Sequence, residues 1–225
     1  NEETMMNQLF QYRFEKDTDF SGHSFGNLFI TAMTQVTGDF EKALKESSKV
    51  LSIRGRVLPS TLEKVVLAAE HADGRLTEGE AQIPKTGSPI KKIFIRPNNA
   101  SAAPDAVRAI LDAELIILGP GSLYTSIIPN LLIKEIREAV VASQVSKIYV
   151  CNIMTQPGET DNFTVSDHIK AVFKHTGVKI FDYVVANNKE AQQEILTRYA
   201  RENSYPVRID REEISRLGVR VVEGK

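Results

Sequence analysis

Apolar and polar positions divide the chain into three stretches of different period. Residues 1–60 carry a helical pattern. Leu28, Thr31, Ala32 and Gln35 continue a spacing opened at Ser24, and Gly38 supplies a stop. Asp39 suits the N-cap of a helix from Phe40 to Val50, with Phe40, Leu44, Ser47 and Leu51 on one face. Residues 63–96 change character. Lys64 to Glu70 reads as extended, Asp73-Gly74 is a hairpin turn signal, and Ile93-Phe94-Ile95 is a short strand. This stretch is expected to form a β-rich insertion beside the main sheet.

Residues 104–186 alternate between strand and helix. Pro104 opens a helix, Leu115 to Leu118 is an apolar strand, and Pro129 to Ala142 is a helix. Lys147 to Asn152 is the next strand, Val165 to His175 a helix, and Phe181 to Ala186 a strand. Continuous apolar strands separated by helices predict an α/β fold, a Rossmann-like parallel sheet with helices on both faces. Beyond it lie a helix near Lys189 to Arg201, a short strand at Val207-Arg208-Ile209 and a helix near Glu212 to Leu217. The expected organisation is one Rossmann-type domain over residues 1–225, with residues 63–96 as an excursion within it.

Length and charge narrow this picture. At 225 residues the chain buries a sizeable core without disulfide or metal staples. Lys and Arg number 28 against 29 Asp and Glu, so no global basic field draws nucleic acid or an acidic membrane. No apolar stretch approaches the roughly 18 residues of a membrane span. The single cysteine, Cys151, cannot form an internal disulfide, which fits a reducing cytosol. It ends an apolar run and reads as a small buried hydrophobe rather than a nucleophile. Asn1-Glu2-Glu3-Thr4 is not a signal peptide and lacks an initiator Met, as in a trimmed or partial chain.

In an open parallel sheet, ligands bind beyond the carboxyl ends of the strands. That rule selects three loops: Gly119 to Ser126, Asn152 to Asn162, and Asn187-Asn188. In the first, Gly119 and Gly121 let the backbone approach a ligand, and Gly121 is expected at positive φ. Ser122, Thr125 and Ser126 add hydroxyl donors to a helix N-terminus that favours an anion. The loop is neither a Walker loop nor a dinucleotide fingerprint, since Tyr124 stands where the third glycine belongs. A plain tight turn explains it equally well.

The second loop is long for its type. Thr164 with Asp167 reads as a capping pair for the next helix. Glu159 and Asp161 have no such local task, and binding a ribose, a sugar hydroxyl or a metal stands level with simple solvation. Among the histidines, His71 and His175 read as structural, His175 as a complement to a helix C-terminus. His168 faces the ligand loops or solvent. His23, in Ser21-Gly22-His23-Ser24-Phe25-Gly26-Asn27, lies at a second glycine-rich helix entry. There a ligand contact by His23, Ser24 or Asn27 competes evenly with a simple N-cap. No pair of histidines has a zinc-ligand spacing with a third ligand nearby.

Four ordered segments carry a family resemblance. They are Gly22 to Leu28, Arg54-Gly55-Arg56-Val57-Leu58-Pro59, Gly119 to Thr125 with Pro129-Asn130-Leu131-Leu132, and Cys151 to Thr160. Together they resemble the motifs of the YvcK-type gluconeogenesis factors, a family similar to the CofD-type 2-phospholactate transferases of deazaflavin coenzyme synthesis. The resemblance implies a cytoplasmic protein that binds a UDP-sugar, such as UDP-N-acetylglucosamine or UDP-glucose. It also implies a role in cell shape and cell-wall synthesis during gluconeogenic growth. The ligand contacts it points to are Gly119, Gly121, Ser122, Tyr124, Thr125, Asn152, Gln156, Gly158, Glu159 and Thr160, with His23, Ser24 and Asn27. Homo-oligomers and cell-wall synthesis proteins stay open as partners.

The family's opening strand, glycine-rich turn and Asp-Asp-Gly-Gly segment have no counterpart here, and the C-terminal segment is short. The transferases place metal-binding and catalytic aspartates in that first region, so no catalytic residue is assigned within this chain. A transferase reading remains the alternative, and Mg²⁺ enters only with it. Where the transferases carry Gly-Pro-Ser-Asn-Pro, this chain has Gly119-Pro120-Gly121-Ser122-Leu123, which favours the binding protein.

Overall fold

The computed structural model describes residues 2–14, 20, 23–51 and 55–224. Ser21 and Gly22 of the glycine-rich helix entry and Arg54 of the Arg-Gly-Arg segment lie outside the described residues. The chain divides into two compact units, residues 1–62 and 63–225.

The first unit is helical, with α1 (Glu2–Gln11), α2 (Phe25–Thr37) and α3 (Phe40–Val50). Local chemistry sets its boundaries. The Ser24 side chain accepts the Asn27 N–H at the start of α2, and Gly38 ends α2 at φ 72°. Asp39 caps α3 by accepting the Lys42 N–H at 2.7 Å. A Cβ at position 26 would lie 3.2 Å from Phe10 Cδ1, so Gly26 lets the Phe10 ring pack on α2 against Phe25 and Phe29. The buried face of α3 is Ala43, Leu44 and Ser47. Phe40, expected on that face, is exposed, because it starts the helix one turn ahead of the packed stretch.

The second unit holds two sheets. β1 (Val66–His71), β2 (Leu76–Glu78) and β3 (Ile90–Arg96) form an antiparallel sheet in the order β2-β1-β3. The Asp73-Gly74 turn joins β1 to β2, with Gly74 at φ 84° and the Arg75 N–H on Asp73 Oδ1. β2 has only three residues, too few for an alternating pattern to register in sequence. A 3-10 turn over Ile83–Thr86 follows and buries Ile83.

β4 (Ile116–Leu118), β5 (Lys147–Val150), β6 (Tyr183–Asn187) and β7 (Arg220–Gly224) form a parallel sheet in that order. Helices flank it: α4 (Pro104–Leu111), α5 (Ile128–Leu132), α6 (Lys134–Ala142), α7 (Val165–Thr176), α8 (Gln193–Arg201) and α9 (Arg211–Arg216). The mixed α/β architecture is the one expected, with the antiparallel sheet as a separate β-rich element. Leu118, Tyr149 and Val184 from the strands pack with Ile169, Val172, Phe181 and Ile214 in one core.

One strand is added and three local expectations change. β7 is a strand although Arg220 and Glu223 interrupt its apolar run, because an edge strand needs only one packed face. Ile117 in β4 is exposed rather than buried. The helix expected from Pro129 to Ala142 breaks at Ile133, whose ψ of 116° is extended, and Arg137 Nη1 donates to the freed Leu131 carbonyl. Residues 206–208 form two isolated bridges, Pro206 to Met154 and Arg208 to Thr164, rather than a strand. Among the described residues no helix is long and apolar enough to cross a membrane.

Candidate ligand-binding site

β4 runs into Gly119, where φ is 94°. A Cβ there would sit 3.1 Å from the Val150 carbonyl oxygen and 3.2 Å from Ile127 Cδ1. The turn and the approach to β5 both require glycine at 119. Gly121 does not have the positive φ expected of it. Its constraint is steric instead, since a Cβ would lie 3.2 Å from Ser126 Cβ.

One wide π-type turn follows over Leu123–Ile127, with the Ser122 carbonyl accepting from both the Ser126 and Ile127 N–H groups. The N-terminus of this turn is satisfied from within the protein. Glu159 Oε2 accepts the Tyr124 N–H at 3.3 Å, and Oε1 accepts the Thr125 hydroxyl at 3.1 Å. Burial raises the Glu159 pKa, and these hydrogen bonds only partly offset it. Burial also pushes the Tyr124 phenol to about 12, with the Glu159 charge adding to it. The Tyr124 ring is turned into the core, edge-on to Phe163 and His175.

The second loop is tied to the first by side-chain amides. Gln156 Nε2 donates to Ser122 Oγ at 2.7 Å, and Asn152 Nδ2 donates to Gln156 Oε1 at 3.1 Å. The Gln156 N–H reaches Thr160 Oγ1 at 2.9 Å. Ser122, Asn152, Gln156 and Thr160 therefore meet across the carboxyl ends of β4 and β5. Asn152 Oδ1 is buried there with no hydrogen-bond partner among the described residues. Gly121, Ser122, Asn152 and Gln156 remain partly exposed, whereas Tyr124, Glu159 and Thr160 are buried.

Glu159 and Asp161 each have a task inside this framework. Asp161 Oδ2 accepts the Gly158 N–H at 2.8 Å and closes the loop on itself. Gly158 has φ 77° and lies against the 3-10 turn of the small sheet. A Cβ there would fall 2.8 Å from the Pro84 carbonyl carbon and closer still to its oxygen. Two further segments brace the loop, and no sequence spacing pointed to them. Thr155 exchanges hydrogen bonds with Ser204 and Tyr205. Asp210 accepts from the Ser166 N–H, the Ser166 hydroxyl and the Thr164 hydroxyl. Burial alone would raise the Asp210 pKa, but these donors outweigh it and hold the carboxyl low. The Thr164–Asp167 capping box forms as expected.

In the third loop, Asn187 Nδ2 donates to the Lys189 carbonyl and Asn188 Nδ2 to Glu223. In the helical unit Ser24 is the N-cap of α2, while His23 and Asn27 are exposed. His168 does not face solvent; its ring packs edge-on to Phe163, beside the second loop, with centroids 5.5 Å apart. It is fully buried, with Nδ1 2.8 Å from the Thr164 carbonyl. His71 is likewise buried, with Nδ1 2.9 Å from the Ser88 carbonyl. His175 is not a charged complement to a helix end, because burial lowers its pKa, outweighing the opposing Ala171 hydrogen bond, and its Nε2 accepts the Ile93 N–H. Cys151 is buried, and burial pushes its thiol to about 12.

Parallel strands with polar, glycine-containing loops at their carboxyl ends define the class: a Rossmann-like α/β protein. The model of the 2-phospho-L-lactate transferase CofD family matches residues 1–225, and the chain belongs to that family. It is 53% identical, over 99% of its length, to a putative gluconeogenesis factor of Nostoc sp.. It is 46% identical, over 98% of its length, to the gluconeogenesis factor of Bacillus subtilis. The chain spans 49% of the Nostoc relative and 69% of the Bacillus subtilis one. It matches the crystal structure of a UPF0052-family protein from Bacillus halodurans with a TM-score of 0.89 at 43% identity, covering 98% of this chain and 71% of that one.

Proposed function

We propose that this chain belongs to a cytoplasmic nucleotide-sugar-binding regulatory protein, one that supports cell shape and cell-wall synthesis during gluconeogenic growth. The observation that carries the reading is the amide and hydroxyl cluster of Ser122, Asn152 and Gln156 at the carboxyl ends of β4 and β5. Neutral donors and acceptors of this kind suit sugar hydroxyls and a uracil edge, and backbone N–H groups near Gly121 suit a diphosphate. Kinship with gluconeogenesis factors supports the regulatory role.

The family's transferase name favours a second reading, transfer of a phospho-ester group from a nucleotide-activated donor. The Mg²⁺ that this reading brings does not fit the residues described. Glu159 is committed to Tyr124 and Thr125, and Asp161 to Gly158. Among the described residues no three His, Cys, Asp or Glu side chains gather as metal ligands.

Thermal-shift titration with UDP-N-acetylglucosamine, UDP-glucose, NAD and ATP decides between ligand classes. A ligand at a hundredfold excess over its Kd stabilises by about 2.7 kcal/mol. The UDP-sugars are expected to raise Tm more than NAD or ATP do. An equal or larger shift with NAD or ATP would overturn the reading.

A further inference from the structure

Lys174 and His175 lie in the last turn of α7, and both reach the outer edge of β3. Among the described residues β3 pairs with β1 on one side only, so backbone groups on its other edge have no strand partner. Lys91 and Ile93 stand two apart, which places their outward groups on that same edge. His175 Nε2 accepts the Ile93 N–H at 2.9 Å, and Lys174 Nζ donates to the Lys91 carbonyl at 3.0 Å. The other ring nitrogen, Nδ1, lies 2.7 Å from the Ala171 carbonyl. A carbonyl only accepts, so Nδ1 carries the proton and Nε2 is the acceptor. One neutral tautomer satisfies both contacts, and an imidazolium would set an N–H against the N–H of Ile93.

Two more contacts join this latch to the ligand loops. The His175 ring lies edge-on to Tyr124, centroids 5.8 Å apart, and Tyr124 lies in the turn held by Glu159. The sheet that His175 holds also carries Pro84, whose backbone lies against Gly158 in the second loop. The small sheet is thus fastened to α7 at β3 and rests on the site loop at its 3-10 turn.

We propose that His175 is a positioning residue for the site: in its neutral form it fastens the small antiparallel sheet, which buttresses the loop from Thr155 to Thr160, and its protonation releases both. The charged neighbours act in one direction. Lys174 on the same helix and Lys92 on β3 both oppose a positive charge on the ring, and Tyr124 stays neutral. Release therefore comes on acidification below the ordinary histidine range. The effect on ligand affinity rests on the nucleotide-sugar reading of the site, whereas the latch itself does not.

Two variants separate the latch from mere packing. His175→Gln keeps an acceptor near the Nε2 position but cannot titrate, and His175→Phe keeps the ring but has no acceptor. Amide hydrogen exchange of the protein is followed at Ile93, Gly158 and Thr160 between pH 8 and pH 5.5, each variant against wild type at the same pH. His175→Phe is expected to speed exchange at all three amides by about tenfold or more at pH 8, the consequence of losing a bond of roughly 1.4 kcal/mol. His175→Gln is expected to match wild type at pH 8 and to show more protection than wild type at pH 5.5. Loss of protection at Ile93 alone would overturn the buttress. Unchanged exchange at Ile93 in His175→Phe would overturn the latch.

UDP-N-acetylglucosamine titrated in parallel should lose affinity by up to about tenfold per pH unit in wild type below the His175 pKa, and not in His175→Gln. An absence of binding by wild type at pH 8 would count against the nucleotide-sugar reading, while the exchange data still decide the latch.

Discussion

Replacing Gly158 by Ala tests whether the ligand loop rests on the small sheet. Two separate costs meet at this position. The backbone at φ 77° lies in the left-handed region, where a Cβ costs roughly 1–2 kcal/mol. The new methyl would also overlap the Pro84 carbonyl, and relief requires either the loop or the 3-10 turn to move. Overpacking of that kind costs about 1–3 kcal/mol. Taking about 3 kcal/mol in all, Tm of a unit this size should fall by about 6–12 °C. Gly177→Ala is the control. Gly177 has φ 75°, but a Cβ there meets nothing within 4 Å, so only the conformational cost applies. Thermal melts of both variants isolate the contact with Pro84 as a difference. If Gly158→Ala melts no lower than Gly177→Ala, the loop does not lean on Pro84 and the reasoning fails.

Glu159 and Cys151 yield two more expectations. The Glu159 pKa is raised in the folded protein, so its ionisation opposes folding: stability present below the unfolded carboxylate pKa is lost as pH rises through the folded value. Glu159→Gln keeps an acceptor for Tyr124 and Thr125 without that charge, so its Tm relative to wild type should be higher at pH 8 than at pH 5. An advantage that is flat or reversed between the two pH values would contradict it. Cys151, with its thiol near 12, should react with a thiol reagent at pH 8 only after denaturation. Rapid labelling of the native protein would show that the strand end opens.

The parts of the fold legible in sequence are those set by neighbours along the chain. Ser24, Gly38, Asp39 and the Thr164–Asp167 pair were readable as caps, because the groups they satisfy lie within four residues. The strand-helix alternation predicted the parallel sheet for the same reason, since each period is local. What could not be read is what distant segments do for one another. Glu159 looks idle in sequence because Tyr124 and Thr125 are more than thirty residues away. Asp210 carries no motif, yet it completes the start of α7 from 44 residues downstream. Gly158 could be taken for a ligand-approach glycine, and only Pro84 shows why a side chain is excluded. β7 escaped notice because an edge strand with two charges lacks the apolar run that marks β4 to β6.

Those distant contacts also restrict how the site meets an anion. The N-terminus of the turn at Leu123 is the expected phosphate cradle, yet its Tyr124 N–H already faces a carboxylate. A phosphate brought to about 4 Å from ionised Glu159 would meet repulsion of about 4 kcal/mol at an effective dielectric of 20. The resting arrangement therefore turns anions away from Tyr124 and Thr125. The groups left partly exposed are one turn earlier and across the gap, at Gly121, Ser122, Asn152 and Gln156. They carry no net charge, and their amides are joined in series from Ser122 to Asn152. Because Gln156 bonds to Ser122 on one side and Asn152 on the other, moving either loop breaks the series. Under the nucleotide-sugar reading, a ligand contacting both ends would read the separation of β4 and β5 as much as the chemistry of any one side chain. Under that same reading, the braces at Pro84, Asp210, Ser204 and His175 would help set which ligand the site accepts.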